Sequence, residues 1–374
     1  MKSIALKALS VSLLAAAFAA PATLTAAPAA DRAAVDKIIA GWAERPRLGA
    51  TQMLEKYGLP QEVTSMQLVW HKQGPFKRIT AHNLETPHDF PLPHVDFLEH
   101  TIEYNVPQAK VGDLIAFDGS STINRTVGEL SARCDLEAHN VLTLNLDHDI
   151  VTGKKTVAEA RKAFGEIVDQ DVKGERPAYV EALQFKPAMP TMAAFSDTPV
   201  IPGSPVRAND RDADAQAAIA SPKKGDGAIL ATVIAVDLNE VLAAAEAQKK
   251  SVSPAVMSYA KMLHEAHGAH MGETLMLGKK LGITPIDTAS VEDLKVKGAG
   301  ELAMLVAQDD AAFERSYVAA MVKGHAEVIS VIDQKLLTTV SDDQLKSHLM
   351  DTREHVAAHL EKAKELQAGM VSSR

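Results

Sequence analysis

Met262-Leu-His-Glu-Ala-His-Gly-Ala-His-Met-Gly-Glu273 sets His264, His267 and His270 three residues apart inside an apolar pattern of helical period. At 3.6 residues per turn the three imidazoles fan over about 120° of one helix side, so they could converge on a shared partner. The apolar stripe of this helix runs through Val256, Tyr259, Ala260 and Leu263, then Leu277 and Leu281. Carried through the gap, its period lands on His267 and His270, which places two histidines towards a core and His264 at its flank. A single histidine on an apolar face is usually a hydrogen-bonded core residue, and a ligand role needs partners from other helices.

Working outward, the same period defines four helices at Ala228 to Lys250, Pro254 to Leu281, an interrupted segment from Val291 into Asp310 to Leu337, and Asp342 to Gln367. Ser253-Pro254 opens the second, Gly282-Ile-Thr-Pro285 closes it, and Ser341-Asp-Asp starts the last with a capping residue and an acidic first turn. Long helices with short connections predict an up-down bundle over residues 228–367. Asp237 and Glu240 interrupt the apolar run of the first helix, and because unpaired burial of a carboxylate is costly they either reach the bundle end or meet a cation such as a histidine or a metal. His325 falls on the inward row Val318, Met321, Val328 and Ile332 of the third helix. On the fourth, His348, His355 and His359 share a face beside Leu345, Leu349, Val356 and Leu360. Imidazole and carboxylate together suit zinc, copper or iron, and four helices can present them from facing sides. The di-iron pattern of Glu-x-x-His on two helices is missing. His264-Glu-Ala-His267 has its second histidine one residue too early for a zincin.

Upstream, residues 31–185 read as an α+β domain: helical patterns over 31–58, strands at Ser65 to His71, Lys77 to Leu84 and His94 to Val106, then helices at Pro107 to Phe117, Leu136 to Ile150 and Thr156 to Val168. Pro87-His-Asp-Phe-Pro-Leu-Pro-His94 is its one stretch with site-like chemistry, and the plainer reading of His88 and His94 is a decorated surface loop. Residues 186–227, with six prolines and no period, read as a poorly ordered linker. Residues 1–29 carry Lys2 and Lys7, an apolar run and Ala27-Pro-Ala29, the pattern of a secretory signal peptide. The expectation is export to the periplasm, with outer-membrane association open and no transmembrane span in the mature chain. A net charge of −9 argues against nucleic acid as a partner. Cys134, the sole cysteine, leaves no intrachain disulfide.

Several stretches carry a resemblance: Glu240; Lys249-Lys-Ser-Val-Ser-Pro254 leading to Tyr259-Ala-Lys-Met262 and His267; Phe313-Glu-Arg-Ser-Tyr317 leading to His325; and Arg353-Glu-His355 leading to Ala363-Lys364. Through them residues 228–367 resemble an uncharacterised bacterial envelope family, a domain of unknown function often labelled ferritin-like or outer-membrane protein. The resemblance implies a ferritin-like four-helix bundle and an envelope or stress-related role, with an envelope protein as partner and no established reaction. It also implies Glu240, His267, His325 and His355 as one polar core set, one residue from each helix. His270 and His359 stand outside it as further metal-ligand candidates. The combined expectation is an exported binding or protective protein with a His/Glu metal site. A metal-dependent oxidase or peroxidase, or a bundle without metal, is the alternative.

Overall fold

A computed structural model describes residues 31–187, 199–208 and 213–372. The signal-peptide expectation at residues 1–29 lies outside them. The chain divides into two compact units, residues 1–195 and 196–374.

In the first unit, helices α1 (Arg32–Ile39) and α2 (Glu44–Tyr57) precede strands β1 (Glu62–Val63), β2 (Gln67–Gln73), β3 (Phe76–His88) and β4 (His94–Glu103). Then come α3 (Gln108–Phe117), β5 (Thr122–Asn124), β6 (Glu129–Cys134), α4 (Glu137–Val151), α5 (Val157–Val172) and the turn-length α6 (Ala178–Glu181). The strands form one antiparallel sheet in the order β1-β2-β3-β4-β6-β5. Its register sets Trp70 opposite Ile79, Ile79 opposite His100 and Leu98 opposite Cys134. These α+β elements enclose a core of Trp70, Ile79, Leu98, Ile102, Leu130, Phe117 and Phe164. Helix α4 is buried on nearly every side, which explains its weak helical stripe. Its two asparagines donate inward, Asn145 Nδ2 to the carbonyls of Tyr179 and Ala182 and Asn140 Nδ2 to that of Leu98. The sequence pattern passes over β6, whose Glu-Leu-Ser-Ala-Arg-Cys alternates for too few residues to stand out from a turn.

Among the described residues of the stretch expected as a linker, β7 (Val206–Arg207) pairs in parallel with β8 (Ile286–Asp287). Gly203 passes so close to the next-to-last turns of a bundle helix that a Cβ there would stand 2.4 Å from the Leu275 carbonyl oxygen. A two-residue pairing has no period to read. Helix α7 (Ala213–Ala220) follows. Helices α8 (Lys224–Ala247), α9 (Pro254–Leu281), α11 (Asp310–Val331) and α12 (Asp343–Ser372) form a four-helix bundle, and α10 (Ala289–Val306) is the crossover between α9 and α11. Helix α9 keeps its expected bounds because both ends are encoded: the Ser253 side chain accepts from Val256 N–H, Pro254 takes the first turn, and Gly282 at φ 63° ends it. The last helix is capped by Asp342, whose carboxylate accepts from Gln344 and Leu345 N–H. Ser341 donates instead to Asp226. Past α11 the chain runs through a π-helical turn at Ile332–Leu336.

Helix α8 is long and apolar enough, by length and composition alone, to cross a membrane, although Asp237 and Glu240 interrupt its apolar run. Half of its most apolar window is buried within the protein, and this helix carries Asp237 into the interior.

Candidate metal centre

The bundle brings His267 from α9, His325 from α11 and His359 from α12 together, one ring nitrogen of each lying within 4.8 Å of the other two. Ring centroids are 5.1 Å apart for His267 and His359, 5.7 Å for His325 and His359, and 5.9 Å for His267 and His325. All three residues are buried. The row that turns His359 inward is Thr352, Val356, His359 and Ala363, spaced four, three and four residues apart and all buried.

Hydrogen bonds set the protons on two of the rings. His267 Nδ1 stands 2.8 Å from Asp237 Oδ1, and a carboxylate can only accept, so Nδ1 carries the proton. His325 Nδ1 donates to the Met321 carbonyl at 2.7 Å for the same reason. In the neutral form each ring then carries its lone pair on Nε2, and both Nε2 atoms are buried without a hydrogen-bond partner, as is His359 Nδ1. Burial, then the neighbouring His267, His325 and His355 rings, pushes His359 down to about 3, so that ring is neutral at ordinary pH.

Asp237 organises more than one ring. Its second oxygen accepts from His270 Nδ1 at 2.8 Å, and His270 Nε2 lies 2.8 Å from Thr352 Oγ1. Thr352 spends its only proton on the His348 carbonyl, so it can only accept from His270. Both nitrogens of His270 therefore carry hydrogen, making it an imidazolium. Burial opposes that charge, but the Asp237 carboxylate outweighs it and raises the pKa above the usual histidine value. The same reasoning makes His348 a neutral ring donating from Nε2 to Thr274, and burial together with the His270 charge holds its pKa low. The two rings stack with centroids 4.8 Å apart and 7° between planes.

Above the trio lies a cavity of about 440 Å³, walled largely by apolar side chains that include Val236, Leu294, Leu302, Leu305 and Met321. Glu240, His270 and His355 also line it. Glu240 Oε2 is buried without a partner, and its charge adds to burial in raising the Tyr259 and Tyr317 phenols. Crossover helix α10 closes one side so tightly that a Cβ on Gly298 would sit 2.4 Å from the Asn239 amide.

Of the six candidate ligands, the structure gathers ring nitrogens from His267, His325 and His359. Glu240 shares their cavity. His355 does not take the fourth helix's place in the cluster, because it is exposed on the flank of the buried row that holds His359. His270 is spent on Asp237 and Thr352 and has no lone pair to offer. His264 accepts from Gln248 Nε2, away from the trio. Asp237 is the residue whose role the sequence suggested only as an acid in need of a partner.

Fold and site define a four-helix bundle with a buried three-histidine cluster beneath an apolar chamber. Residues 211–366, the same helices that carry the sequence resemblance, match the family described as Domain of unknown function (DUF4142). No curated protein and no solved structure matches the chain.

Proposed function

We propose that this is an exported metal-binding protein whose bundle holds one transition-metal ion, of the zinc or copper class, on His267, His325 and His359. The observation that carries the reading is the convergence of buried, unpartnered nitrogens from three helices, two of them with tautomers set for coordination. Leaving a buried polar atom unpaired costs about 1–3 kcal/mol, so three together favour a shared partner. Zinc–imidazole bonds of about 2.0–2.1 Å would draw the three nitrogens to roughly 3.3 Å from one another, a small closure from their present spread. The Asp237–His267 pair is the carboxylate–imidazole arrangement that orients metal ligands and raises their basicity. The all-imidazole set argues against di-iron redox chemistry, which uses bridging carboxylates. Binding, storage or protection in the cell envelope fits it best, and export rests on the pattern of residues 1–29.

One observation favours an enzyme as a second reading. Three protein ligands leave a position free, and the apolar chamber that reaches it also holds Glu240, a buried carboxylate able to take a proton.

Calorimetric titration of the metal-free protein with zinc and copper tests the proposal. His267→Ala, His325→Ala and His359→Ala should each weaken the bundle's binding by 100-fold or more, and His355→Ala by less than about tenfold. Folded protein that binds no ion at this cluster would leave the histidines as a structural network.

A further inference from the structure

One end of the sheet in the first unit gathers a different donor set. His88 ends β3, His94 and Asp96 begin β4, Cys134 ends β6, Asp135 follows it, and His139 lies in the first turn of α4. These side chains are not the surface decoration that the proline-rich loop suggested. His94 Nδ1 lies 2.9 Å from the Leu92 carbonyl, to which it can only donate, so a neutral His94 keeps its lone pair on Nε2. That nitrogen is 3.3 Å from Cys134 Sγ and 3.0 Å from Asp96 Oδ1. Cys134 Sγ is in turn 3.4 Å from Asp135 Oδ1. Asp96 is only 4% exposed, and its Oδ1, turned towards His94, is buried without a hydrogen bond. An imidazole stands behind Asp96, His88 Nδ1 lying 3.2 Å from its Oδ2, whereas His139 Nδ1 approaches the same Asp135 Oδ1 that faces the thiol, at 3.6 Å, and lies 3.9 Å from Cys134 Sγ.

We infer that His94 Nε2, Cys134 Sγ and the carboxylates of Asp96 and Asp135 form a second divalent metal site, of the zinc class, independent of the bundle. Tetrahedral zinc with bonds of about 2.0–2.3 Å separates its ligand atoms by roughly 3.2–3.6 Å. The His94–Cys134 and Cys134–Asp135 separations of 3.3 and 3.4 Å lie on those edges, with donors of His94, Cys134 and Asp135 all within 4.8 Å of one another; Asp96, 3.0 Å from His94 and grouped with His88 and His94, must draw in towards the other two to complete the set. Thiolate with imidazole selects zinc, cobalt or copper over magnesium or calcium, which prefer oxygen alone. Binding releases two protons to solvent: the Cys134 S–H bond breaks, as does the Nε2–H bond by which His94, an imidazolium between the Leu92 carbonyl and Asp96, faces that carboxylate; sulfur and nitrogen then bond the ion without a change of oxidation state. His88 and His139 act as positioning residues that hold the two carboxylates.

Cobalt(II) titration of the reduced, metal-free full chain is the test. Cys134 is the sole cysteine, so a sulfur-to-cobalt charge-transfer band in the near ultraviolet reports this site and never the bundle. The band should saturate with one equivalent bound at this site and vanish when zinc is added. It should be lost in Cys134→Ser and in His94→Ala, and persist in His267→Ala/His325→Ala, while His88→Ala should weaken cobalt binding about 10–100-fold. Folded wild-type protein without the band, or a band unchanged in folded His94→Ala, would overturn the inference and leave an imidazole–carboxylate–thiol network without metal. Should Cys134→Ser fail to fold, the His94→Ala and Asp96→Asn spectra decide, a surviving band in both refuting the site.

Discussion

Asp237→Asn isolates the residue on which the bundle site turns. The carboxylate is 2% exposed and accepts from two imidazole N–H groups at 2.8 Å each. An asparagine in the same place can accept from one ring only, and its NH₂ would face the N–H of the other. A buried donor without an acceptor costs about 1–3 kcal/mol, so the metal-free protein should lose that much unfolding free energy in urea. The second effect is on the metal. Without the carboxylate, His267 loses both the bond that keeps its proton on Nδ1 and the charge that raises the basicity of Nε2. Loss of such an outer partner lowers metal affinity 10–100-fold, or about 1.4–2.7 kcal/mol. Zinc titration by calorimetry, on protein whose circular dichroism matches wild type, reads this directly. Zinc affinity within a factor of two of wild type, alongside the expected loss of stability, would show that Asp237 braces the fold and does not serve a metal.

The pH dependence of the metal-free bundle should have two opposed limbs. His359 has a folded pKa of about 3 against 6.5, so the unfolded chain binds the extra proton between those values and stability falls as pH drops below 6.5. His270 has a raised folded pKa, so its stabilisation is full below 6.5 and is lost as pH rises through the raised value. Urea midpoints across pH should show a smaller acid limb in His359→Gln, with the part from His348 remaining, and a smaller alkaline limb in His270→Gln. Metal affinity should itself fall below about pH 6, where free imidazole protonates. Gly298→Ala, whose Cβ would meet the Asn239 side-chain amide at 2.4 Å, should turn that amide aside and break its hydrogen bond to the Leu294 carbonyl, costing about 0.5–1.5 kcal/mol in a denaturant titration. An unchanged midpoint would mean that the amide moves without loss.

The bundle was legible because its helices are long, periodic and capped by residues with definite roles: Ser253-Pro254 and Gly282 announce both ends of α9. Two members of the histidine cluster, His267 and His325, followed from their inward rows. The fourth helix was harder to read, since His355 and His359 are one turn apart and only packing shows that the Thr352–Val356–His359–Ala363 row faces inward. His270 was inward as its period required, but its protonation depends on how Thr352 directs a hydroxyl proton, which no spacing encodes. In the first unit, the His94–Cys134 contact joins strands that lie 40 residues apart in the chain. Missing β6 in the sequence meant missing that juxtaposition. The pairing of Val206–Arg207 with Ile286–Asp287 is hidden for a similar reason, being two residues long and remote in sequence.

X-ray absorption at the zinc edge reads the ligand set itself, on Cys134→Ser protein loaded with one equivalent so that only the bundle is occupied. The first shell should consist of nitrogen and oxygen scatterers at about 2.0–2.1 Å, with outer-shell scattering from three imidazoles, falling to two in His359→Ala. A spectrum of fully hydrated or carboxylate-bound zinc, or three imidazoles still present in His359→Ala, would contradict the three-histidine site.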